Sequence, residues 1–500
     1  MAPSDIKALA MIGCGSMGGG MALLFAEQGV HVSLQDPSAD RMNALLDSAK
    51  KDGLQDKLSK HDDYKSLCKS LESYSGSGAP RVFVWSLPHG SIGDTVLTGL
   101  MPLLRKGDCI VDCGNEHWEN SERRMGMCYV KGIRYVGCGV SGGYQAARRG
   151  PSMCPGGDDD SLFFVLPLLE QVAATAPDNS PCVARIGTGG AGHYCKMIHN
   201  GIEHGMMSAI SEAWALMARG MDMSLDDVGD EFQRWNDNGE LHNTFLVSIG
   251  ADICRKKNDK GNKVLPEVED KVVQDYTGEE GTGVWSNDEA IEQHVPAPTL
   301  TAAHYLRIAS GDLAQRRAIY DTLGKAHPPQ KLSIQDQKAF LEDLRQAVYA
   351  ASLAAYAQGL IIIDRANKSK NFNINYPNLL QIWRAGCIIR SDYINRELLL
   401  PIYKQGPFVN PLTDPTFASE LKKMYPALKR VVMKAMEADQ VVPSLSASLE
   451  YLKYMTSTEL PTSFYEAELD YFGAHNYDRK GEDPEGKPET GRQHFEWKPA

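Results

Sequence analysis

No basic stripe interleaved with aromatic residues runs through the 500 residues, and the formal net charge is -12, so nucleic acid is not an expected partner. The N-terminus, MAPSDIKALAMIGCG, has no basic region followed by a long apolar stretch, and it reaches a glycine loop within a few residues. A signal peptide is therefore not expected. No clean run of apolar residues is long enough to demand a bilayer. The nearest candidate, Ala347 to Ile363, is broken by Ser352, Tyr356 and Gln358 and flanked by Arg345 and Asp364, which predicts a buried helix and no membrane association. The 11 cysteines are odd in number and include no CxxC pair, which fits reduced thiols in a cytoplasmic protein better than a disulfide framework. Cys109 and Cys113, the nearest two, bracket a strand end and read as packing residues. No His, Cys and carboxylate cluster stands at ligand spacing, so no metal is expected. Short-period repeats and low-complexity tracts are also missing.

What is present is material for a sizeable core, at 42% hydrophobic residues, distributed in two different rhythms. From Lys7 to about Gly190, short apolar runs alternate with helical stretches, the pattern of a parallel sheet covered by helices. Candidate strands are Ala8 to Ile12, Val30 to Leu34, Arg81 to Trp85, Cys109 to Cys113 and Arg134 to Cys138. A polar stretch from Lys50 to Pro80, with room for a helix, ends in a flexible Ser75-Gly76-Ser77-Gly78 connection. From about Ala191 onward long helical periods take over: Gly192 to Arg219, Glu240 to Arg255, Thr299 to Ala309 and Ala339 to Arg365. The last stretch, Asp478 to Ala500, is too polar and too rich in Pro and Gly to fold unless it lies against another surface.

Gly13-Cys14-Gly15-Ser16-Met17-Gly18 follows an apolar strand and opens a helix, and Asp36 ends the next strand about eighteen residues on. The glycines permit a tight turn and close approach of a pyrophosphate, and the helix start offers N–H groups to it. With strand, helix and acidic residue in place, the motif predicts a doubly wound (Rossmann) α/β domain over 1–190. It would be followed by an all-helical domain over 191–477 and a C-terminal tail over 478–500. A carboxylate at 36 accepts hydrogen bonds from ribose hydroxyls and repels a 2′-phosphate, which favours NAD over NADP. Arg41, one helical turn away, is the nearby cation that could rescue NADP, and it also reads as a solvated helix surface.

The stretch from Gly189 to Glu203 places Lys196, His199 or Asn200, and Glu203 on one face of a helix, where an apolar face would be expected. Taken alone, such a Lys and Glu are usually surface charges. Around them, however, stand Val140-Ser141-Gly142-Gly143, Arg149-Gly150-Pro151-Ser152, Pro155-Gly156-Gly157 and Lys196-Met197-Ile198-His199-Asn200-Gly201-Ile202-Glu203. Further on come Gly281-Thr282-Gly283 with Trp285, Cys387-Ile388-Ile389-Arg390-Ser391, and Asp470-Tyr471-Phe472-Gly473-Ala474-His475. In order and approximate spacing this set resembles the 6-phosphogluconate dehydrogenase family over nearly the whole chain.

The resemblance implies an NAD(P)-dependent oxidation of a beta-hydroxy sugar acid with loss of carbon dioxide. It assigns Lys196 as general base and Glu203 as general acid. It places Gly13, Gly15, Ser16, Met17, Gly18, Asp36 and Asn115 at the dinucleotide, with Asn115 also facing substrate. Ser141, Gly142 and Gly143 would hold the substrate carboxylate, and His199 and Asn200 the sugar hydroxyls. His204, Thr282, Arg307 and His475 fall at the distal end, where the family binds a phosphate. It also makes the helical stretch over 191–477 the substrate and dimerisation domain, and implies a homodimer whose tails are exchanged, each giving His475 to its partner's site.

Three positions depart from the family's phosphate pattern: a tyrosine becomes His204, a lysine becomes Glu280 and an arginine becomes Leu469. Two cations are lost and one anion gained. One misplaced unit charge about 4 Å away costs roughly 4 kcal/mol at an effective dielectric near 20. A substrate with a neutral or cationic distal end is therefore expected, and NAD as oxidant. The family's Asn-Arg-Thr after the second strand is Asp36-Pro37-Ser38, and the serine after Asn115 is Glu116. The alternatives are an ordinary member of the family, a non-catalytic dinucleotide-binding paralogue, and a dehydrogenase of beta-hydroxy acids that does not decarboxylate.

Overall fold

A computed structural model describes residues 6–76, 78–278, 281–404, 408–481 and 491–498. The chain divides into two compact units, Met1–Leu449 and Glu450–Ala500. The first begins with β1 (Ala8–Ile12), α1 (Ser16–Glu27), β2 (His31–Gln35), α2 (Ala39–Lys51), β3 (Leu58–Lys60), α3 (Tyr64–Ser75), β4 (Val82–Trp85) and α4 (Ser91–Leu100). It continues through β5 (Cys109–Asp112), α5 (Trp118–Tyr129), β6 (Arg134–Ser141), α6 (Gly143–Arg149), β7 (Ser152–Gly156), α7 (Asp159–Glu170) and α8 (Ala191–Ala215).

The strands form one sheet in the order β3-β2-β1-β4-β5-β6-β7, parallel except for β7, which runs antiparallel to β6. Buried on both faces, the central strands β1 (ALAMI) and β4 (VFVW) are apolar throughout, as a helix-covered sheet requires, whereas β2 (HVSLQ) and the edge strand β3 (LSK) alternate with polar residues. Leu9 and Met11 face the layer formed by α1, α2 and α7, while Ala8, Ala10 and Ile12 face that of α3, α4 and α5. The five expected strands are all present to within a residue or two, except that β6 runs on to Ser141. Two strands were not foreseen. β3 has three residues inside the polar stretch, and β7, sequence SMCPG, carries a proline at the sheet's edge, where a missing N–H is tolerated. The stretch from Lys50 to Pro80 also contains α3, whose last residue is Ser75; Ser77 lies outside the described residues.

After α8 the first unit is helical. The helix Gln337–Lys370 is the one described helix long and apolar enough to cross a membrane, and its apolar window is 89% buried inside the protein. It packs against α8 as a core helix. The second unit is built on the helix Thr462–Gly473. Its final strand-like segment pairs Tyr477 with Gln493 in both directions, and the buried carboxylate of Asp470 accepts from the Phe495 N–H, the Trp497 indole and His494. Burial opposes the charge on Asp470, but those hydrogen bonds outweigh it and hold the carboxyl well below its usual range.

Candidate active site

In a parallel sheet the ligand crevice lies beyond the carboxyl ends of the strands, where the strand order reverses. Here that reversal lies between β1 and β4, which continue into Gly13 and Ser86. Gly13 has φ +92, and a Cβ there would stand 2.2 Å from the Ser86 carbonyl oxygen. A Cβ at Gly18 would stand 2.0 Å from the Gly13 carbonyl oxygen, so both glycines are demanded by close packing. A Cβ at Gly15, by contrast, would meet no protein atom within 4 Å. That open cradle at the start of α1 is what a pyrophosphate needs, so the residues fit a dinucleotide.

Asp36 is buried and holds this loop in shape. Its Oδ2 accepts the Cys14 N–H at 2.7 Å and its Oδ1 the Ser38 N–H at 2.8 Å. Arg41 reaches within 4.0 Å of the same carboxylate from an exposed position. Burial, and next the Asp36 charge, push the Cys14 thiol up to about 12, so it stays neutral.

The loops after β1, β4, β5 and β6 open into a cavity of about 420 Å³. Met17, Asn115 and the Ser141-Gly142-Gly143 turn line it on the sheet side, and Lys196, Asn200 and Glu203 line it on the side of α8. The helix comes this close because β6 carries glycine at 139, where a Cβ would stand 2.2 Å from Lys196 Cβ. Three polar residues at helical spacing therefore share one face, and that face looks onto the glycine-rich turn.

Behind the cavity wall the polar groups form a continuous chain. The Ile388 N–H donates to Ser141 Oγ at 3.3 Å, and Ser141 Oγ lies 3.1 Å from His199 Nε2. His199 Nδ1 is 3.0 Å from Asn200 Oδ1, which also accepts from Lys196 Nζ, and the Asn200 amide donates to Thr282 Oγ1 at 2.8 Å. This network assigns the proton of a neutral His199 to Nδ1, leaving Nε2 to accept from Ser141. Burial, and next the Lys196 charge, hold His199 well below the ordinary histidine range. Glu203 Oε2 lies 3.7 Å from His199 Nδ1.

His199 is 1% exposed and lies behind the cavity wall rather than on it. Thr282, His204 and Arg307 also stand outside the cavity lining, beyond Asn200. Arg307 donates to His204 and, through Nε, to Asp275 at 2.9 Å. Glu280 lies outside the described residues. His475 and Leu469 belong to the second unit, where the His475 ring is 6.0 Å from Phe472. Two groups at the cavity carried no assigned role in the sequence. The Ser86–His89 turn lines it, and its Pro88-His89-Gly90 run at the end of β4 was the available signal. Cys387 and Ile388 sit against Ser141 and His199, with Cys387 Sγ 3.0 Å from His199 Nε2. Burial pushes that thiol up to about 12.

A dinucleotide cradle facing a buried lysine, a buried amide and a half-buried carboxyl defines a nicotinamide-dependent oxidoreductase. Comparison with known proteins narrows the class. Residues 8–187 match the family described as the NAD binding domain of 6-phosphogluconate dehydrogenase, and residues 192–497 match the 6-phosphogluconate dehydrogenase C-terminal domain. The chain is 43% identical to a decarboxylating 6-phosphogluconate dehydrogenase of Emericella nidulans, over 97% of this chain and 100% of that one. It is 38% identical to a spinach (Spinacia oleracea) counterpart, over 96% of both. A solved Plasmodium falciparum 6-phosphogluconate dehydrogenase, studied in apo form and with NADP+ or 6-phosphogluconate, superposes with a TM-score of 0.87 at 31% identity, covering 98% of this chain and 100% of that chain. The chain belongs to the 6-phosphogluconate dehydrogenase family, whose members matched here are decarboxylating oxidoreductases.

Proposed function

We propose that this chain oxidises the hydroxyl beta to the carboxylate of a sugar acid and releases carbon dioxide, with NAD preferred and with a substrate whose distal end is not a phosphate. The observation that carries the reaction is the cavity itself, where Lys196, Asn200 and Glu203 stand opposite Ser141-Gly142-Gly143 beside the glycine loop. The backbone N–H groups of the turn suit a carboxylate, and the Ser141 hydroxyl joins them by turning its one proton from His199 Nε2 to the ligand. Lys196 in its neutral form takes the proton of the beta hydroxyl, and as an ammonium it polarises the new ketone. The nicotinamide, when bound, accepts the hydride from that carbon. Loss of carbon dioxide from the beta-keto acid leaves an enolate whose oxygen takes the proton of the Lys196 ammonium; Glu203 in its protonated form then protonates the carbon that lost the carboxylate, and the enol proton returns to Lys196.

Asp36 supports NAD, because a buried carboxylate at the end of β2 repels a 2′-phosphate. The loss of a tyrosine, a lysine and an arginine at 204, 280 and 469 supports an unphosphorylated distal end. A homodimer with exchanged tails fits the aromatic face of the second unit, where Phe464 is 72% and Phe472 71% exposed. A cytoplasmic setting fits eleven free, buried cysteines. The test is turnover of 6-phosphogluconate against unphosphorylated sugar acids, each with NAD and NADP, while carbon dioxide is trapped. NAD-linked carbon dioxide release from an unphosphorylated acid is expected. Robust NADP-linked turnover of 6-phosphogluconate would end the altered-substrate reading, and oxidation without carbon dioxide would end the decarboxylating one.

A further inference from the structure

Glu116 follows Asn115 in the loop after β5, yet its side chain turns away from solvent and is 3% exposed. Its carboxylate joins two of the loops that wall the cavity. From its own loop it accepts the His117 N–H at 2.8 Å, and from the first turn of α5 the Asn120 amide at 2.9 Å. From the loop after β4 it accepts the Gly90 N–H at 3.0 Å. Arg124 completes the clamp: it donates to Glu116 at 2.7 Å and to the Gly90 carbonyl at 2.6 Å. Gly90 is thus held through both its N–H and its C=O, directly beside His89, which lines the cavity, as does Asn115.

The clamp carries excess negative charge. Arg124 also meets Asp94 at 2.9 Å and Asp112 at 3.5 Å, and Arg123 meets Asp94 at 2.8 Å. Three carboxylates face two guanidiniums. Burial opposes the charge on Glu116, but hydrogen bonds from Asn120, Arg124 and the His117 N–H outweigh it and keep the carboxyl below its ordinary value. It is therefore an anion at neutral pH, fixed one layer behind Asn115.

We propose that Glu116 is a positioning and specificity-determining residue for the nicotinamide half of the cofactor. It locks the Asn115 loop to the loop of His89 and Gly90, and its fixed charge favours the cationic, oxidised ring over the neutral, reduced one. The proposal rests on the dinucleotide reading of the cavity but not on the choice between NAD and NADP, because the ring charge is common to both. A unit charge acting across about 10 Å at an effective dielectric near 20 changes an affinity by roughly tenfold.

The test is binding of NAD+ and NADH, and of NADP+ and NADPH, to the purified full-length protein without sugar acid. Glu116→Gln keeps the shape and removes the charge. It should raise the ratio of oxidised to reduced dissociation constants by about tenfold, whereas Glu116→Asp, which keeps the charge, should leave the ratio within about twofold of wild type. Equal weakening of both forms in Glu116→Gln would reduce the residue to a structural brace and overturn the proposal. Should that variant fail to fold, Asp94→Asn, at a partly exposed site in the same cluster, must move the ratio in the same direction by about two- to threefold. No movement there would overturn the proposal equally. A wild-type protein that bound none of the four dinucleotides would overturn the cofactor reading, and the proposal with it.

Discussion

Asn200 Oδ1 stands 3.0 Å from His199 Nδ1 while also accepting from Lys196 Nζ, so the proposed base and the buried histidine share one acceptor. The other end of His199 holds Ser141, on the far side of the cavity. Through His199, the Asn200 amide thereby ties the proposed base to the proposed carboxylate subsite.

Replacing Lys196 with methionine keeps the length and most of the packing but removes the base. Turnover should fall by on the order of a thousandfold while NADH binding, followed by fluorescence, stays within about twofold of wild type. Comparable losses in both would show that the lysine supports the fold rather than the proton transfer.

Asp36→Asn removes the charge beside the expected ribose site. The ratio of kcat/KM with NAD to that with NADP should fall by about tenfold or more. Because an amide keeps only one accepting oxygen and puts a donating NH2 in place of the other, one of the N–H groups of Cys14 or Ser38 loses its partner, and stability should drop by roughly 1–3 kcal/mol in urea unfolding. An unchanged cofactor ratio would leave Asp36 with only its loop-holding role.

Gly139→Ala tests whether the approach of α8 to β6 sets the geometry of the site. The added methyl would stand 2.2 Å from Lys196 Cβ and must displace the helix. Unfolding free energy should fall by roughly 1–3 kcal/mol, and kcat by up to about a hundredfold through misplacement of the amine. Wild-type kcat in this variant would show that the base tolerates the shift.

Glu212, near the far end of α8, accepts the backbone N–H groups of Ser444 and Leu445 and the Ser208 hydroxyl, at 2.8, 2.9 and 2.7 Å. Burial nevertheless pushes its carboxyl up to about 7. With the folded value above the unfolded value of about 4.3, stability from the protonated form is complete at low pH and is lost as pH rises through the folded value. The stability of wild type minus that of Glu212→Gln should therefore decrease by roughly 2–3 kcal/mol between pH 5 and pH 8, measured by urea unfolding. A difference independent of pH would contradict this.

Much of this was legible in the chain because it is written in local order. A glycine loop between an apolar strand and a helix, with an acidic residue after the next strand, needs no tertiary information to be recognised. The same holds for Lys196, Asn200 and Glu203, whose spacing puts them on one helix face. β3 and β7 were not legible, since three residues and a proline-containing run carry no periodic signal. The packing of the tail residues onto Asp470 was equally hidden, because their order comes from hydrogen bonds to a helix more than twenty residues away.

By itself the sequence determined the dinucleotide sheet, the switch to helices near Ala191 and the shared helix face of Lys196, Asn200 and Glu203, all consequences of periodicity and residue type, while the roles of acid and base came from the family resemblance. Only the tertiary structure decided that those groups face the Ser141 turn across one cavity, that His199 lies behind its wall, and that Glu116 clamps two loops. Those facts depend on where separate strand ends converge and on how closely a helix can approach a glycine. Contacts of that kind join residues far apart in the chain, so no local pattern contains them.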